Sequence, residues 1–455
     1  MNDTFMKEKP IFPLLTSMAL PMVVSMLVNA LYNIVDSLFV ARISEEAMTA
    51  LSLVYPVQNL INAIAIGFSI GIAALISLHL GAGNKEKADM AATHGMVLSL
   101  IHGVVISIVC TAIMPRFLRS FTSDETVIAM GVTYSRVAFM FAVVIMAAMA
   151  FEKIFQAVGR MNITMIGLMG GSVCNIILDP LLIFGIGPFP KMGIAGAALA
   201  TGIGQMVPVI FYLIVYFVSP IPVRLRSGCL KPDAKMGLQL YSIGVPAIIA
   251  QGAMSVMNYC VNLIFGSLDS SYVTAYGIVY KIQQFVLFAA FGLRDAITPI
   301  VSFSYGMQNA KRIREGVRCG LMYTSVLMLI CTAAVEILAQ PLAGIFSLSA
   351  GTMGLCVTGL RVLAVSFVFA GANIAIQGVF QATEGGVQSL LVSLLRQLIF
   401  VLPAAWLFAR LLPAGVWLAF PIAEVLTAVI AAVLLRHTAG KDRLSQQDHA
   451  ASLSK

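Results

Sequence analysis

Residues 11–40 read IFPLLTSMALPMVVSMLVNALYNIVDSLFV and contain a single charged side chain, Asp36. About 20 apolar residues are enough to cross the hydrocarbon core of a bilayer as an α-helix. The run is too long for the core of a secretory signal peptide and lacks the small-residue cleavage pattern of one. We therefore expect a retained first transmembrane helix with a carboxylate inside it.

The rest of the chain has a similar composition. Of its 455 residues, 59% are hydrophobic and 11% are charged, whereas a soluble domain carries about 25% charged residues. An all-α integral membrane protein is therefore expected, with twelve spans between polar breaks. The predicted spans are 12–40, 46–80, 90–113, 126–158, 161–186, 192–218, 235–265, 270–304, 313–336, 351–383, 386–412 and 414–437.

The longest interior stretch without an apolar run is SPIPVRLRSGCLKPDAK, at 219–235. It separates six predicted spans from six others, so we interpret it as a linker between two lobes. The predicted organisation is an N-terminal lobe at 1–218, a linker at 219–234, a C-terminal lobe at 235–437 and a tail at 438–455.

Lysine and arginine are concentrated on the linker side of the predicted spans, in the N-terminal tail, the linker, the C-terminal tail and three short loops. Cytoplasmic loops carry such an excess, so the linker, the tail and both termini are predicted to be cytoplasmic. The net charge of +8 is then a topology signal, and no nucleic-acid partner is expected. We expect a multi-pass monomer, surrounded by lipid, in a bacterial inner membrane.

An internal repeat appears when the sequence is compared with itself. Adding 225 to the residue number, an operation that we call the repeat shift, aligns several polar residues, glycines and prolines. Six spans separate equivalent points, so the lobes should be related by a pseudo-two-fold axis along the membrane normal, with substrate bound between them. The coincidences are Pro21 with Pro246, Val54-Tyr55 with Val279-Tyr280, Gln58 with Gln283, Gly81 with Gly306, Asn84 with Asn309, and 155–157 with 380–382.

Two carboxylates interrupt apolar spans of the first half. Asp36 shares a helix face with Tyr32 and Asn33, and Asp179 follows Asn175 by one turn. A carboxylate at the centre of a membrane helix costs about 2.5–3.5 kcal/mol on insertion scales. Each acid could be a packing residue satisfied by a neighbouring helix, but a pair in one half favours a site that binds H+ or Na+. That cation is the only metal or cofactor we expect.

The second half carries neutral polar stripes where the first half carries acids. These side chains either line a substrate cavity or form interhelical hydrogen bonds worth about 0.6 kcal/mol each. Lys281 and Glu424 are further cavity candidates within apolar surroundings. The candidates for the substrate cavity are Asn33, Gln58, Gln251, Ser255, Asn258, Lys281, Asn373 and Gln377.

Arg294 and Asp295 also lie in an apolar run. Because neighbouring residues on a helix point in different directions, we do not expect these two side chains to pair. We interpret them as structural charges.

Six segments of the sequence resemble the multidrug and toxic compound extrusion family over 12–437. No single segment is diagnostic, but together they occur in the family's order. They are LPMVVSMLVNALYNIVDSLFVAR at 20–42, LGAGNKEKA at 80–88, FQAVGRMNITM at 155–165, NIILDPLLIFGIGPFPKMGIAGAALAT at 175–201, GLRDAITPIVSFSYG at 292–306 and GVWLAFPIAE at 415–424.

The resemblance implies twelve helices in two six-helix lobes that rock between inward-open and outward-open states. It implies an antiporter that exports cationic or amphipathic small molecules in exchange for H+ or Na+. The sequence is most similar to the branch named for DNA-damage-inducible protein F, whose cation site lies in the N-terminal lobe. That pattern implies a coupling role for Asp36, Tyr32, Tyr134, Asn175, Asp179 and Thr201.

Two alternatives stay open on the sequence. An exporter or flippase of lipid-linked or peptide substrates would also pair two bundles, and basic residues such as Lys281 and Arg396 could serve it. An intramembrane aspartyl protease would use two carboxylates, but it carries G-x-G-D at the second acid, where this chain has Leu178-Asp179-Pro180. We therefore do not expect an enzyme.

Overall fold

The computed structural model describes residues 4–231, 233–346 and 348–453, without the side chains of 4, 34, 41, 230 and 439–453. Within these residues the regular structure is helical, and long helices run back and forth across one bundle. We call the end of the bundle that carries 219–233 the linker face. The other end is called the far face.

The N-terminal lobe begins with a short helix and continues with seven longer ones. These are α1 (Thr4–Glu8), α2 (Ile11–Ala41), α3 (Glu45–Gly81), α4 (Lys85–Arg119), α5 (Glu125–Met140), α6 (Ala142–Ala157), α7 (Met161–Phe184) and α8 (Ile194–Val218).

The C-terminal lobe repeats this plan after a 3-10 turn at Ser227–Leu230. Its helices are α9 (Ala234–Gly266), α10 (Ser270–Gly306), α11 (Ala310–Gly344), α12 (Ala350–Ala382), α13 (Gly386–Leu394), α14 (Val401–Leu411) and α15 (Ala419–Leu453). A π-helical turn at Leu395–Ile399 joins α13 to α14, and a 3-10 turn at Pro413–Leu418 precedes α15.

Eleven helical segments of the described chain are long and apolar enough to cross a membrane, and the bent pair α5–α6 supplies a twelfth crossing. This confirms the predicted all-α membrane fold. The fourth predicted span is not straight, because α5 and α6 meet at Phe141 at an angle of 41°. A side chain on Gly202 of α8 would collide with the Phe141 ring. The residue at the bend, Phe141, therefore packs its ring closely against α8.

The repeat is visible in the helix caps as well as in the spans. Three residues that cap helices of the first lobe, each with a side-chain oxygen bound to a backbone N–H, have capping counterparts at the repeat shift. The pairs are Ser44 with Asp269, Asn84 with Asn309 and Asp124 with Ser349. Gly83 is left-handed with φ +72, and its counterpart Gln308 keeps that conformation at φ +54 without being glycine. The repeat shift thus relates local backbone geometry and sequence alike.

The two lobes meet along α2 and α3 of one and α9 and α10 of the other, a contact region that we call the lobe seam. Glycines of each lobe lie against the backbone of the other lobe, and a Cβ on any of them would collide with that backbone. The repeat shift converts each of these contacts into another one, and all of them lie in the half of the seam near the linker face. They are Gly67 with Ile248, Gly292 with Val23, Gly81 with Phe303, and Gly306 with Leu78.

The linker docks on the N-terminal lobe through Asp89. Its buried carboxylate accepts a hydrogen bond from the backbone N–H of Arg224 at 2.7 Å and pairs with the Arg226 guanidinium at 2.8 Å. At the other end of the chain, α15 extends through most of the predicted tail at 438–455. The side chains of that tail beyond Thr438 lie outside the described residues.

Tight packing at the seam predicts a specific cost for a methyl group at Gly67. Its Cβ would lie 2.5 Å from the backbone nitrogen of Ile248, whereas a Cβ on Gly252, also inside a long helix, meets nothing within 4 Å. Both changes favour helix by up to about 1 kcal/mol, but Gly67→Ala should lose roughly 1–3 kcal/mol to overpacking. We expect thermal denaturation in detergent to show a lower melting temperature for Gly67→Ala only. Equal melting temperatures for both variants would contradict this packing.

Candidate cation site in the N-terminal lobe

The structure brings Asp36 of α2 against Asp179 of α7. The two carboxyl groups are close enough to share a hydrogen bond. Asp179 is fully buried, and Oδ1 of Asp36 is buried with no hydrogen-bond partner among the described residues. Two acids predicted separately from the sequence therefore form one pair.

Asn175 connects this pair to helix α8. With its amide oriented to satisfy both neighbours, Asn175 donates to Oδ2 of Asp179 at 3.1 Å and accepts from the backbone N–H of Thr201 at 3.1 Å. Asn175 is itself 2% exposed. A polar cluster thus crosses from α2 through α7 to α8.

A small cavity adjoins the cluster. It measures about 20 Å³ and is lined by polar side chains that include Asn29, Tyr32, Asn175 and Thr201. A volume of that size holds about one water molecule. The cavity reaches Asn175, which binds Asp179, but neither acid lines it. Its volume suits a water or a small cation and is too small for an organic molecule.

Glycines let α7 and α8 approach closely enough to build the site. A Cβ on Gly171 would lie 2.5 Å from the carbonyl oxygen of Gly204, and one on Gly204 would lie 3.0 Å from the Cβ of Asn175. Sequence reasoning missed this role. A small-xxx-small pattern, Gly167 and Gly171 four residues apart on one helix, was the signal that could have found it.

Two tyrosines complete the cluster. Tyr32 and Tyr134 are both near enough to Asp36 and Asp179 to interact with them electrostatically. The Tyr134 ring is 2% exposed, and its hydroxyl donates to the side-chain oxygen of Gln58 at 3.2 Å. The structure thus gathers all six residues predicted for cation coupling in one place.

The charge of the pair has no resident basic partner. Among the described residues, neither Asp36 nor Asp179 takes part in a salt bridge. Two carboxylates at hydrogen-bonding distance cannot both stay ionised without a cation between them. The arrangement can therefore hold a proton or a small cation.

One predicted cavity residue contacts the other lobe, and four others are exposed or half-buried. Asn59 of α3 donates a hydrogen bond to Ser255 of α9 across the lobes. Asn33 and Lys281 are exposed, and Gln251 is half-buried. Asn258, also half-buried, accepts from the amide of its helix neighbour Asn262 through its backbone oxygen at 2.8 Å. Their contact with substrate stays a prediction.

Asn373 and Gln377 lie elsewhere, inside the C-terminal lobe. The Asn373 amide donates to Glu424 at 2.8 Å, and the Gln377 side-chain oxygen accepts from Ser393 at 3.1 Å. These are the interhelical hydrogen bonds considered as the alternative to a cavity role. Glu424 also pairs with Arg396 at 2.7 Å, and both side chains are buried.

Comparisons with known proteins agree with this geometry. The MatE family model matches residues 21–181 and 246–407, more than half of the chain, and its two matches start at positions related by the repeat shift. The chain belongs to the MatE family. It is therefore a multi-pass membrane transporter, which confirms the predicted family and the prediction that it is not an enzyme.

Relatives of this MatE chain include two staphylococcal proteins. It is 25% identical over 433 residues to the multidrug export protein MepA of Staphylococcus aureus (strain bovine RF122 / ET3-1), with 95% of each chain covered. It is 24% identical over 383 residues to MepA of Staphylococcus haemolyticus (strain JCSC1435), with 84% of each chain covered.

Solved structures share the fold. One is described as the outward-facing conformation of a multidrug resistance MATE family transporter; it superposes with a TM-score of 0.93 at 24% identity, covering 97% of this chain and 99% of that one. A transporter of the same superfamily from Pyrococcus furiosus gives a TM-score of 0.91 at 24% identity, with 97% and 98% covered. The two-lobed architecture of this chain is thus shared with the solved structures.

The close approach of α7 and α8 predicts opposite outcomes at two adjacent glycines. A methyl at Gly171 would push away α8 and pull Thr201 from Asn175, whereas a Cβ on Gly170 makes only an ordinary 3.6 Å contact with Val207. We expect Gly171→Ala to lower the melting temperature and Gly170→Ala to leave it unchanged or raise it. Thermal denaturation of the purified variants measures both. A Gly171→Ala variant as stable as Gly170→Ala would show that the site does not need this helix contact.

Proposed function

We propose that this transporter exports cationic or amphipathic small molecules in exchange for H+ or Na+ by alternating access. The observation that carries the proposal is the pair of half-buried Asp36 and fully buried Asp179, which has no basic partner among the described residues. Such a pair is neutralised only by a cation that binds reversibly from solution. The names of the relatives, which are multidrug export proteins, support the substrate class.

The coupling follows from electrostatics. When the pair is charged, it favours a lobe conformation that accepts a cationic substrate. When a cation enters from outside, it neutralises the pair, the packing of α2 against α7 changes, and the substrate is released outward. One charge moving down a membrane potential supplies about 2.3 kcal/mol per 100 mV, and this energy can drive export against a gradient.

The lobe seam supports the alternating-access step. Its backbone contacts at Gly67, Gly81, Gly292 and Gly306 close the bundle at the linker face. Since the contacts are related by the repeat, the lobes can rock about the pseudo-two-fold axis as two nearly equivalent bodies. By the excess of basic residues in its loops, the linker face is cytoplasmic.

The pairing of two arginines disfavours the alternative of a lipid-linked or peptide substrate. Arg294 and Arg396 are both buried and each binds a carboxylate, Asp295 and Glu424. They therefore do not supply a basic groove for an anionic cargo. The exposed Lys281 alone does not make one.

Removing either acid should uncouple transport. Asp36→Asn and Asp179→Asn keep the side-chain shape but cannot exchange a cation, so we expect gradient-driven efflux of the cationic dye ethidium to be lost in both. Efflux is measured from proteoliposomes under an imposed pH gradient and, separately, under an imposed Na+ gradient.

The control is Asp124→Asn, because Asn caps a helix as well as Asp does and this residue lies at the far face. It should transport at the native rate. Undiminished efflux in both site variants, under the gradient that drives the native protein, would overturn the proposed coupling site.

A further inference from the structure

A second group of buried charges adjoins the lobe seam, where α6 of the N-terminal lobe meets α10 of the C-terminal lobe, away from the acid pair. It consists of Glu152 and Lys153 on α6 of the N-terminal lobe and Arg294 and Asp295 on α10 of the C-terminal lobe. Their exposed fractions are only 2%, 4%, 6% and 5%. Four ionisable groups inside a membrane bundle are costly, which makes them functional candidates.

The strongest contact in the group joins the two lobes. Nζ of Lys153 lies 2.6 Å from Oδ2 of Asp295. The other oxygen of Asp295 accepts from Nε and a terminal nitrogen of Arg294 at 3.2 and 3.0 Å. The expectation that Arg294 and Asp295 would not pair is therefore wrong. The guanidinium is long enough to fold back along the helix, and it does so over the ring of Phe291 at 5.0 Å.

The N-terminal side of the group is held together by Gln156. Its side-chain oxygen accepts from Lys153 at 2.7 Å, and its amide nitrogen donates to Glu152 at 2.7 Å. Lys153 and Glu152 themselves are 4.0 Å apart. Each lobe thus contributes one acid and one base that are already connected within that lobe.

This ionic contact breaks the symmetry of the seam. At the repeat shift, Lys153 corresponds to Gly378 and Asp295 to Ile70, so the equivalent position between the lobes has no charge. The seam can therefore pack without ions, as it does on the other side of the axis. The four charges are therefore not needed to pack the two lobes together, which points to another role for them.

The distribution of charge suits a contact that must break. If the lobes separate, Glu152 stays with Lys153 and Arg294 stays with Asp295, so neither surface acquires a net charge. Breaking a buried ion pair that lacks such local partners would leave an uncompensated charge in each half. The arrangement lowers the cost of opening while it keeps a short contact in the closed state.

The group also lies between the two sets of seam contacts near the linker face. Asp295 follows Gly292, and two helical turns further along α10 the hydroxyl of Ser302 donates to the carbonyl oxygen of Ala74 across the lobes at 2.7 Å. Ser302 is fully buried. Opening of the linker face would separate the Lys153–Asp295 pair and expose Ser302.

We propose that Lys153 and Asp295 form a latch that holds the linker face of the seam closed and releases it with both lobes neutral. The latch rests on the proposed alternating access and identifies the contact that controls one of its two gates. It differs from the cation site, because it carries its own bases and needs no ion from outside.

The test is cysteine labelling of Ser302→Cys in a protein whose seven native cysteines are replaced by alanine or serine. A membrane-impermeant maleimide is added to everted vesicles and, separately, to right-side-out vesicles. Glu152→Gln with Lys153→Met removes the latch and leaves each lobe neutral. We expect labelling about tenfold faster than in the parent, from the linker side only.

The matched control is Glu424→Gln with Arg396→Met. It removes a buried acid and base of the same kind that lie within one lobe, so labelling should stay at the parent rate. Parent-rate labelling in the latch variant, or an equal increase in the control, would overturn the latch.

If the double variant is not monodisperse in detergent, the same labelling experiment is carried out on Lys153→Gln instead. It loses the charge but keeps an N–H donor, and we expect labelling about threefold faster than the parent; a parent rate overturns the latch. Labelling requires neither an ion gradient nor a dye, so failure of the latch leaves the cation site standing. Loss of coupling at Asp36 or Asp179 does not depend on the latch either.

Discussion

A carboxylate inside a membrane protein has to be neutralised, and this constraint organises the N-terminal lobe. Asp36 and Asp179 meet without a resident base among the described residues, so their neutrality depends on what the site binds. The glycines at the α7–α8 contact bring Thr201 to Asn175, and Asn175 holds Asp179 in place. In the coupling that we propose, the packing of three helices thus serves one exchangeable charge.

Three groups of buried charge meet this constraint in three ways. Arg396 neutralises Glu424 within the C-terminal lobe. Lys153 and Asp295 neutralise each other across the seam, and each also has a partner in its own lobe. Asp36 and Asp179 alone among these groups lack a base. The three groups therefore differ in where the countercharge lies: in the same lobe for Glu424, across the seam for Asp295, and on an exchanged cation in the coupling that we propose for Asp36 and Asp179.

Much of the fold could be predicted from the sequence, because span length is set by the bilayer and the internal repeat is visible in polar landmarks such as Asn84 and Asn309. The acid pair could be predicted as well, since a lone carboxylate in an apolar run has few explanations. The pairing of Asn373 with Glu424 could not, because it depends on which faces of distant helices meet. Nor could the fold-back of Arg294 onto Asp295, which depends on a side-chain conformation.

The central claim is that the acid pair exchanges its cation for substrate. The most direct measurement is the ion released when ethidium is added to weakly buffered, detergent-purified protein, with protons followed by a pH electrode and Na+ by radioisotope. The native protein should release one of the two ions as dye binds. A variant with both Asp36→Asn and Asp179→Asn should release neither, and release from that variant at the native level would contradict the account.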